Sequence, residues 1–131
     1  MEHAFNTQVF YSDTDSYGVV WHGSYLRWLE MGRVLLCEQA GYKLSELEKE
    51  DIVLPVAELN IQYKNAAKLE DNVTIKTKVS DYGRFYVTFH QEITDEKTNK
   101  VYINATVKVV AINKSGKLYR SLPEQVTKIV Q

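Results

Sequence analysis

The chain has 131 residues and an ordinary globular composition, with 44% hydrophobic and 25% charged residues. That length suits one domain, so we expect a single domain over residues 1–131. Its 16 basic and 17 acidic residues leave a formal net charge of -1. This balance gives no electrostatic reason to expect binding to nucleic acid or to an anionic membrane.

The sequence carries no signal for export or membrane insertion. Its single cysteine, Cys37, cannot form an internal disulfide, and residues 1–11 lack the basic and apolar regions of a signal peptide. No apolar run approaches the length of a transmembrane helix. We therefore expect a cytoplasmic protein.

The first half of the chain is predicted to form one strand and two helices. A strand candidate covers residues 4–12, and a long helix covers residues 24–40, with Ser24 as its N-cap and Gly41 just after its end. The long helix is apolar around most of its circumference, so we expect it to be buried on several sides. A capping box that begins at Ser45 predicts a second, short helix.

The second half alternates between apolar and polar residues, which predicts strands with one buried face each. Four such segments are present, at residues 58–64, 73–79, 84–93 and 103–111. Turn residues separate consecutive strands, so we expect neighbours along the chain to pair antiparallel. A short helix over residues 124–130 is predicted to start at Pro123. Together these elements predict an α+β fold whose sheet curls around the long helix.

Standard catalytic and metal-binding motifs are missing from the sequence, including G-x-S-x-G, H-E-x-x-H and C-x-x-C. We therefore expect no metal site, and Cys37 is predicted to be a small core residue. The loop before the long helix carries two carboxylates, Asp13 and Asp15. A helix start can hold an oxyanion, and a nearby carboxylate can attack a carbonyl or activate water. Because Asp before a helix is usually a turn or cap residue, spacing alone leaves the choice open.

A family resemblance favours the catalytic interpretation. The run D-T-D-x-x-G-V-V-W-H-x-x-Y-L, from Asp13 to Leu26, resembles the signature of the 4-hydroxybenzoyl-CoA thioesterase-like hotdog proteins, which include acyl-CoA thioesterases linked to the Tol–Pal cluster. The resemblance continues through residues 30–33 and 63–71 and covers nearly the whole chain. It implies the hotdog fold, in which a curved antiparallel sheet wraps one long helix, and hydrolysis of acyl-CoA thioesters.

The resemblance also implies residue roles. Asp15 matches the catalytic carboxylate, acting either as general base on water or as nucleophile through a mixed anhydride. His22 matches the position whose backbone N–H polarises the thioester carbonyl, and its side chain could also contact the substrate or orient Asp15. Gly18 would let the loop turn sharply beside the substrate. Asp13 is expected to be a structural hydrogen-bonding residue.

Further candidates would bind the substrate. Trp21 replaces the usual Tyr or Phe beside the site, and Tyr25 could line the acyl pocket, although core packing is its expected role. The candidates for CoA phosphates are Lys64, Lys68 and Arg84. Two other departures from the family pattern, Ala66 in place of Pro and Tyr86 in place of Ser or Thr, leave the acyl group undetermined.

The resemblance further implies a homodimer with two sheets joined edge to edge, and association of two dimers into a homotetramer. Glu30 and Arg33 are expected to form an ion pair at the helix or the subunit contact. No cofactor is expected, because CoA is part of the substrate. A hotdog hydratase is disfavoured because no Asn-Pro follows Asp15. A non-catalytic acyl-CoA or acyl-carrier binding module remains open, because a fold does not fix a function.

Overall fold

The computed structural model describes all 131 residues and contains five strands and three helices, with one short 3-10 turn at Tyr11–Asp13. The strands are β1 (Glu2–Gln8), β2 (Val56–Tyr63), β3 (Asn72–Tyr82), β4 (Tyr86–Asp95) and β5 (Val101–Val110). The helices are α1 (His22–Gln39), α2 (Leu44–Lys49) and α3 (Glu124–Val130). Every predicted helix and strand is present, but β1 begins and ends earlier than predicted.

The five strands form one antiparallel sheet in the order β1-β3-β4-β5-β2. Pairing of chain neighbours is confirmed for β3 with β4 and for β4 with β5. It is wrong for β2, which pairs with β5 at the far edge, with Ile61 opposite Ala105. The segment between β2 and β3 is engaged elsewhere, because Ala67 accepts a hydrogen bond from the Val20 N–H and Asp71 accepts one from the Val9 N–H.

Helix α1 begins two residues before the predicted position, with Trp21 as its N-cap. Ser24 is not the cap, because its hydroxyl donates a 3.0 Å hydrogen bond to the Asp13 carbonyl oxygen. The capping box predicted at Ser45 is also wrong, because α2 starts after Lys43 and has no side-chain cap. Gly41 does follow the end of α1, as predicted.

The middle of α1 lies directly on the sheet. A Cβ atom on Gly32 would overlap Thr77 Oγ1 on β3 and lie 3.0 Å from Gln91 Nε2 on β4, so only glycine allows this approach. Thr77 and Gln91 occupy inward positions of their strands and are buried, as the alternation predicted. The helix is buried on one side in this chain rather than on several, since Leu26 and Met31 remain exposed.

The buried side chains form two apolar clusters along the sheet. One surrounds Trp28 and Leu29 on the first half of α1, and the other surrounds Leu36 and Cys37 on its second half and includes residues of α3. Cys37 is thus a core residue, as predicted, and burial raises its pKa to about 11. None of the helices has the length and apolar character needed to cross a membrane.

Candidate active site

The loop before α1 folds back on itself as a narrow hairpin. The Trp21 N–H donates to the Asp13 carbonyl (2.9 Å), and the Asp15 N–H donates to the Val19 carbonyl (2.9 Å). Gly18 forms the tip with φ 80, a left-handed conformation that favours glycine. Because Asp15 is two residues from the Asp13–Trp21 pair, it lies roughly 7 Å from the start of α1 along the hairpin.

The carboxylate of Asp15 is half-buried and only partly hydrogen-bonded. Its Oδ1 atom accepts a 2.8 Å hydrogen bond from the Tyr17 N–H, which forms a local turn that orients the side chain. Its Oδ2 atom accepts no hydrogen bond from the chain. The loop therefore holds a carboxylate in one orientation and leaves one of its oxygens free to take a proton or to attack an electrophile.

The start of α1 offers two free backbone donors. The Trp21 N–H bonds to Asp13, and the Ser24 N–H bonds to the Trp21 carbonyl. The N–H groups of His22 and Gly23, between them, donate to no acceptor in the chain. Free amides at a helix start carry partial positive charge and can bind an oxygen that becomes negative.

Asp13 has the opposite environment from Asp15. Its side chain is 4% exposed, and its oxygens accept hydrogen bonds from the Phe10 N–H (2.9 Å) and from Arg27 Nη2 (2.6 Å). This arrangement agrees with the structural role expected of Asp13. It anchors the base of the hairpin to α1 and to the chain that leaves β1.

An aromatic group adjoins the helix start. The exposed His22 ring packs edge-on against Tyr63 at the end of β2, with 5.9 Å between ring centroids. Tyr63 also packs against Tyr25, at 6.0 Å. Tyr63 was not among the predicted site residues, since alternation alone marks it only as an inward strand position.

Tyr25 is buried in the core rather than exposed at an acyl pocket. It is 3% exposed, its hydroxyl oxygen accepts a 2.9 Å hydrogen bond from the Ala67 N–H, and burial raises its pKa. Tyr25 therefore packs in the core and ties α1 to the segment between β2 and β3. Trp21 is 54% exposed and packs over Gly23, so its ring lies beside the helix start.

The three basic candidates separate into two places. Lys68 pairs through its backbone with Val19 of the hairpin, and Lys64 directly follows Tyr63. Both lysines are exposed on the side of the molecule that carries Asp15. Arg84 lies beyond the far end of β3, a strand of 11 residues that spans roughly 35 Å. Within one chain, Arg84 is therefore not brought to Asp15.

The expected ion pair between Glu30 and Arg33 does not form within this chain. Arg33 instead donates a 3.0 Å hydrogen bond from Nη1 to the Gln91 Oε1 atom. Gln91 is fully buried beneath α1, so its amide oxygen needs a donor, and the guanidinium supplies one.

A single chain does not enclose Asp15 in a cavity. None of the three main cavities is lined by Asp15, although Trp21 and Gly23 line one of about 310 Å3 at the helix start. The structure brings together no group of three or more His, Cys, Asp or Glu side chains that could hold a metal ion.

A curved antiparallel sheet in the order β1-β3-β4-β5-β2, with one long helix against it, defines a hotdog-fold protein. A family model described as the thioesterase-like superfamily matches residues 9–130, and the chain belongs to that family. These findings confirm the predicted fold and the predicted thioesterase family.

Two relatives with similar sequences carry names that agree with this family. The chain is 31% identical to the putative acyl-CoA thioesterase YneP of Bacillus subtilis over 109 residues, covering 83% of this chain and 78% of that one. It is 32% identical to the acyl-CoA thioesterase YbgC of Haemophilus influenzae over 111 residues, covering 84% and 80%.

Solved structures show the same architecture. A DHNA-CoA thioesterase from Staphylococcus aureus matches with a TM-score of 0.84 and 28% identity, covering 91% of this chain and 80% of that one. A 1,4-dihydroxy-2-naphthoyl-CoA thioesterase from Synechocystis matches with a TM-score of 0.91 over 99% and 96% of the two chains. At 18% identity, the match to the Synechocystis structure supports the fold alone.

Proposed function

We propose that this chain hydrolyses acyl-CoA thioesters to a free acid and CoA, with Asp15 as the reactive carboxylate. The observation that carries the proposal is the hairpin that holds an oriented carboxylate with one free oxygen near two free amides of a helix start. The relatives named acyl-CoA thioesterases support the same reaction.

In this proposal the thioester carbonyl oxygen binds at the His22 and Gly23 N–H groups, which stabilise the negative charge that develops on it. Asp15 then acts in one of two ways. As general base, it takes a proton from a water molecule that attacks the carbonyl carbon. As nucleophile, it forms a mixed anhydride that water hydrolyses. In both routes the C–S bond breaks, CoA leaves as a thiolate that gains a proton, and no cofactor or metal ion takes part.

We assign the CoA phosphates to the rim of this site. Lys64 and Lys68 are exposed there, and their mobile ammonium groups suit phosphate oxygens. Arg84 lies at the opposite end of the sheet from Asp15 of its own chain. It can therefore bind a CoA phosphate only at the site of another subunit.

A homodimer completes the site in this proposal. Strand β2 is a sheet edge, paired on one side only, and it exposes the apolar side chains of Val56, Leu59 and Tyr63. An open edge of this kind is suited to pairing with a second copy, which would join the two sheets and cover these side chains. Sedimentation analysis should give the mass of a dimer or a tetramer, and a monomer at micromolar concentration would contradict the assignment.

We propose a cytoplasmic location, since the chain carries none of the disulfides that are typical of oxidising compartments and its single cysteine, Cys37, is buried.

The direct test is a thiol-release assay on a panel of acyl-CoAs, comparing the native protein with Asp15→Asn. Because a positioned acid–base group contributes about a hundredfold to ten-thousandfold, kcat should fall by that factor. Asp81→Asn is the matched control, since Asp81 is exposed near the far end of β3, and it should retain native turnover. Equal turnover by Asp15→Asn and native protein would remove Asp15 from the mechanism. Binding of acyl-CoAs without turnover by the native protein would instead favour the non-catalytic binding module.

A further inference from the structure

A second cavity lies between the later turns of α1, α2 and the β2 edge of the sheet, away from the Asp15 hairpin. Its volume is about 230 Å3, and most of the side chains that line it are hydrophobic. They include Val34 on α1, Leu44 on α2, and Phe89 and Val109 on the sheet. A pocket of this size and character suits the apolar part of a small ligand.

Two charged side chains line this otherwise apolar wall, Glu30 and Arg33, and of the two only Arg33 is half-buried. Its nearest acidic neighbour on the same side of α1, Glu30, is exposed and makes no ion pair with it. Of the five guanidinium N–H donors, only one on Nη1 is used, in the bond to Gln91. The other nitrogens are not sealed away from solvent, so they remain free to bind a ligand in the cavity.

The guanidinium is held in place by a buried amide. Gln91 is 0% exposed, and its Nε2 atom donates to the Leu29 carbonyl (2.8 Å) and to Thr77 Oγ1 (2.8 Å). Those two bonds fix the amide, and its Oε1 atom in turn fixes Arg33. A donor that is already oriented loses little conformational freedom when a ligand binds, which favours selective recognition.

We propose that this cavity receives the acyl group and that Arg33 selects acyl groups with a hydrogen-bond-accepting oxygen remote from the thioester. A carboxylate and an aromatic hydroxyl both supply that oxygen. The inference rests on the proposed thioesterase function. Arg33 lies about three turns beyond His22 on α1, roughly 16 Å along the axis. A benzoyl or hexanoyl group is too short to span that distance within one chain. Val56 of β2 also lines the cavity, so a short acyl group held by a second copy across the β2 edge can reach Arg33.

Matched pairs of thioesters test this selection in the full-length protein. Each pair differs only in the remote oxygen: hexanoyl-CoA with adipoyl-CoA, dodecanoyl-CoA with dodecanedioyl-CoA, and benzoyl-CoA with 4-hydroxybenzoyl-CoA. In at least one pair, we expect the native kcat/KM for the oxygenated member to exceed that of its partner by about tenfold or more. The aliphatic and aromatic pairs distinguish a carboxylate from a hydroxyl.

The variant Arg33→Met keeps the side-chain length and removes the donors, so it should abolish that preference. Arg120→Met, at an exposed arginine outside the cavity, should preserve it. A native enzyme without preference in any pair would overturn the inference, and so would an Arg33→Met variant whose two rates in a pair fall equally. In both cases, Asp15-dependent hydrolysis of the apolar members would leave the proposed function standing. Absence of hydrolysis on every thioester would overturn both.

Discussion

Polar groups are left unpaired at the first turn of α1 but are hydrogen-bonded at the middle of the same helix. At the first turn and in the hairpin before it, the N–H groups of His22 and Gly23 and one oxygen of Asp15 have no partner in the chain. In the middle, the buried amide of Gln91 has both ends bonded, and Gly32 brings α1 into contact with the sheet.

This difference separates the requirements of folding from those of chemistry. Buried polar groups without partners lower the free energy of unfolding, so a fold satisfies them where it can. Unpaired groups that remain near the surface cost little and are available to a ligand. The comparison therefore predicts that changes at the first turn reduce activity, whereas changes in the middle of α1 reduce stability.

The largest expected effect lies at Asp15. Replacement by Asn should lower kcat by about a hundredfold to ten-thousandfold. It should change the free energy of unfolding by only about 0.5 kcal/mol, because Asn still accepts the Tyr17 hydrogen bond and no ion pair is lost. Urea denaturation measures the second quantity. If Asp15→Asn lowered the free energy of unfolding by as much as it raised the activation free energy, the two regions would not differ as proposed.

The middle of α1 should show the reverse behaviour with Gly32→Ala. The added methyl group overlaps Thr77 Oγ1, and moving Thr77 would disturb the Gln91 hydrogen bond. We expect the free energy of unfolding to fall by about 2 to 3 kcal/mol, after the small gain in helix propensity from alanine. Met31→Ala, at an exposed position next to it on α1, should change stability by about 0.5 kcal/mol or less. Equal stability of the two variants would contradict close packing at Gly32.

A smaller effect is expected at Asp13, which lies at the base of the hairpin and has both of its carboxylate oxygens hydrogen-bonded. Asp13→Ala removes the acceptor for the Phe10 N–H and for Arg27. We expect a loss of about 1 to 2 kcal/mol, because the Arg27 side chain is 56% exposed and solvent screens its charge. Asp13→Asn should lose less, since its amide oxygen still accepts the Phe10 bond. Thermal unfolding of both variants measures which of them loses more stability. A larger loss for Asp13→Asn than for Asp13→Ala would contradict this account.

The sequence predicts most of the fold because local periodicity reflects burial on one face. The alternation over residues 73–79 and 84–93 places Thr77 and Gln91 inward, where the structure has them. Long-range pairing is not encoded locally, so the crossing of β2 to the far edge was missed. The cap at Ser24 was wrong for the same reason, because its hydroxyl bonds to a carbonyl eleven residues earlier.

Prediction of the site depended on the motif rather than on periodicity. The motif indicated Asp15, Gly18 and His22, and the hairpin carries the first two and leads into the helix start at the third, although their catalytic roles remain predictions. Tyr63 was missed because it ends a strand far along the chain and meets His22 only in the folded state. Within one chain the ion pair expected between Glu30 and Arg33 does not form, because helical spacing cannot reveal an acceptor, Gln91, on a strand below.

The central claim is that Asp15 and the start of α1 meet at one acyl carbon. A crystal structure of Asp15→Asn, bound to an acyl-CoA that the native protein hydrolyses, tests it most directly. The account predicts that the thioester carbonyl oxygen accepts a hydrogen bond from the His22 or Gly23 N–H, with its carbon beside the side chain at position 15. A thioester bound elsewhere, with both amides still free, would contradict it.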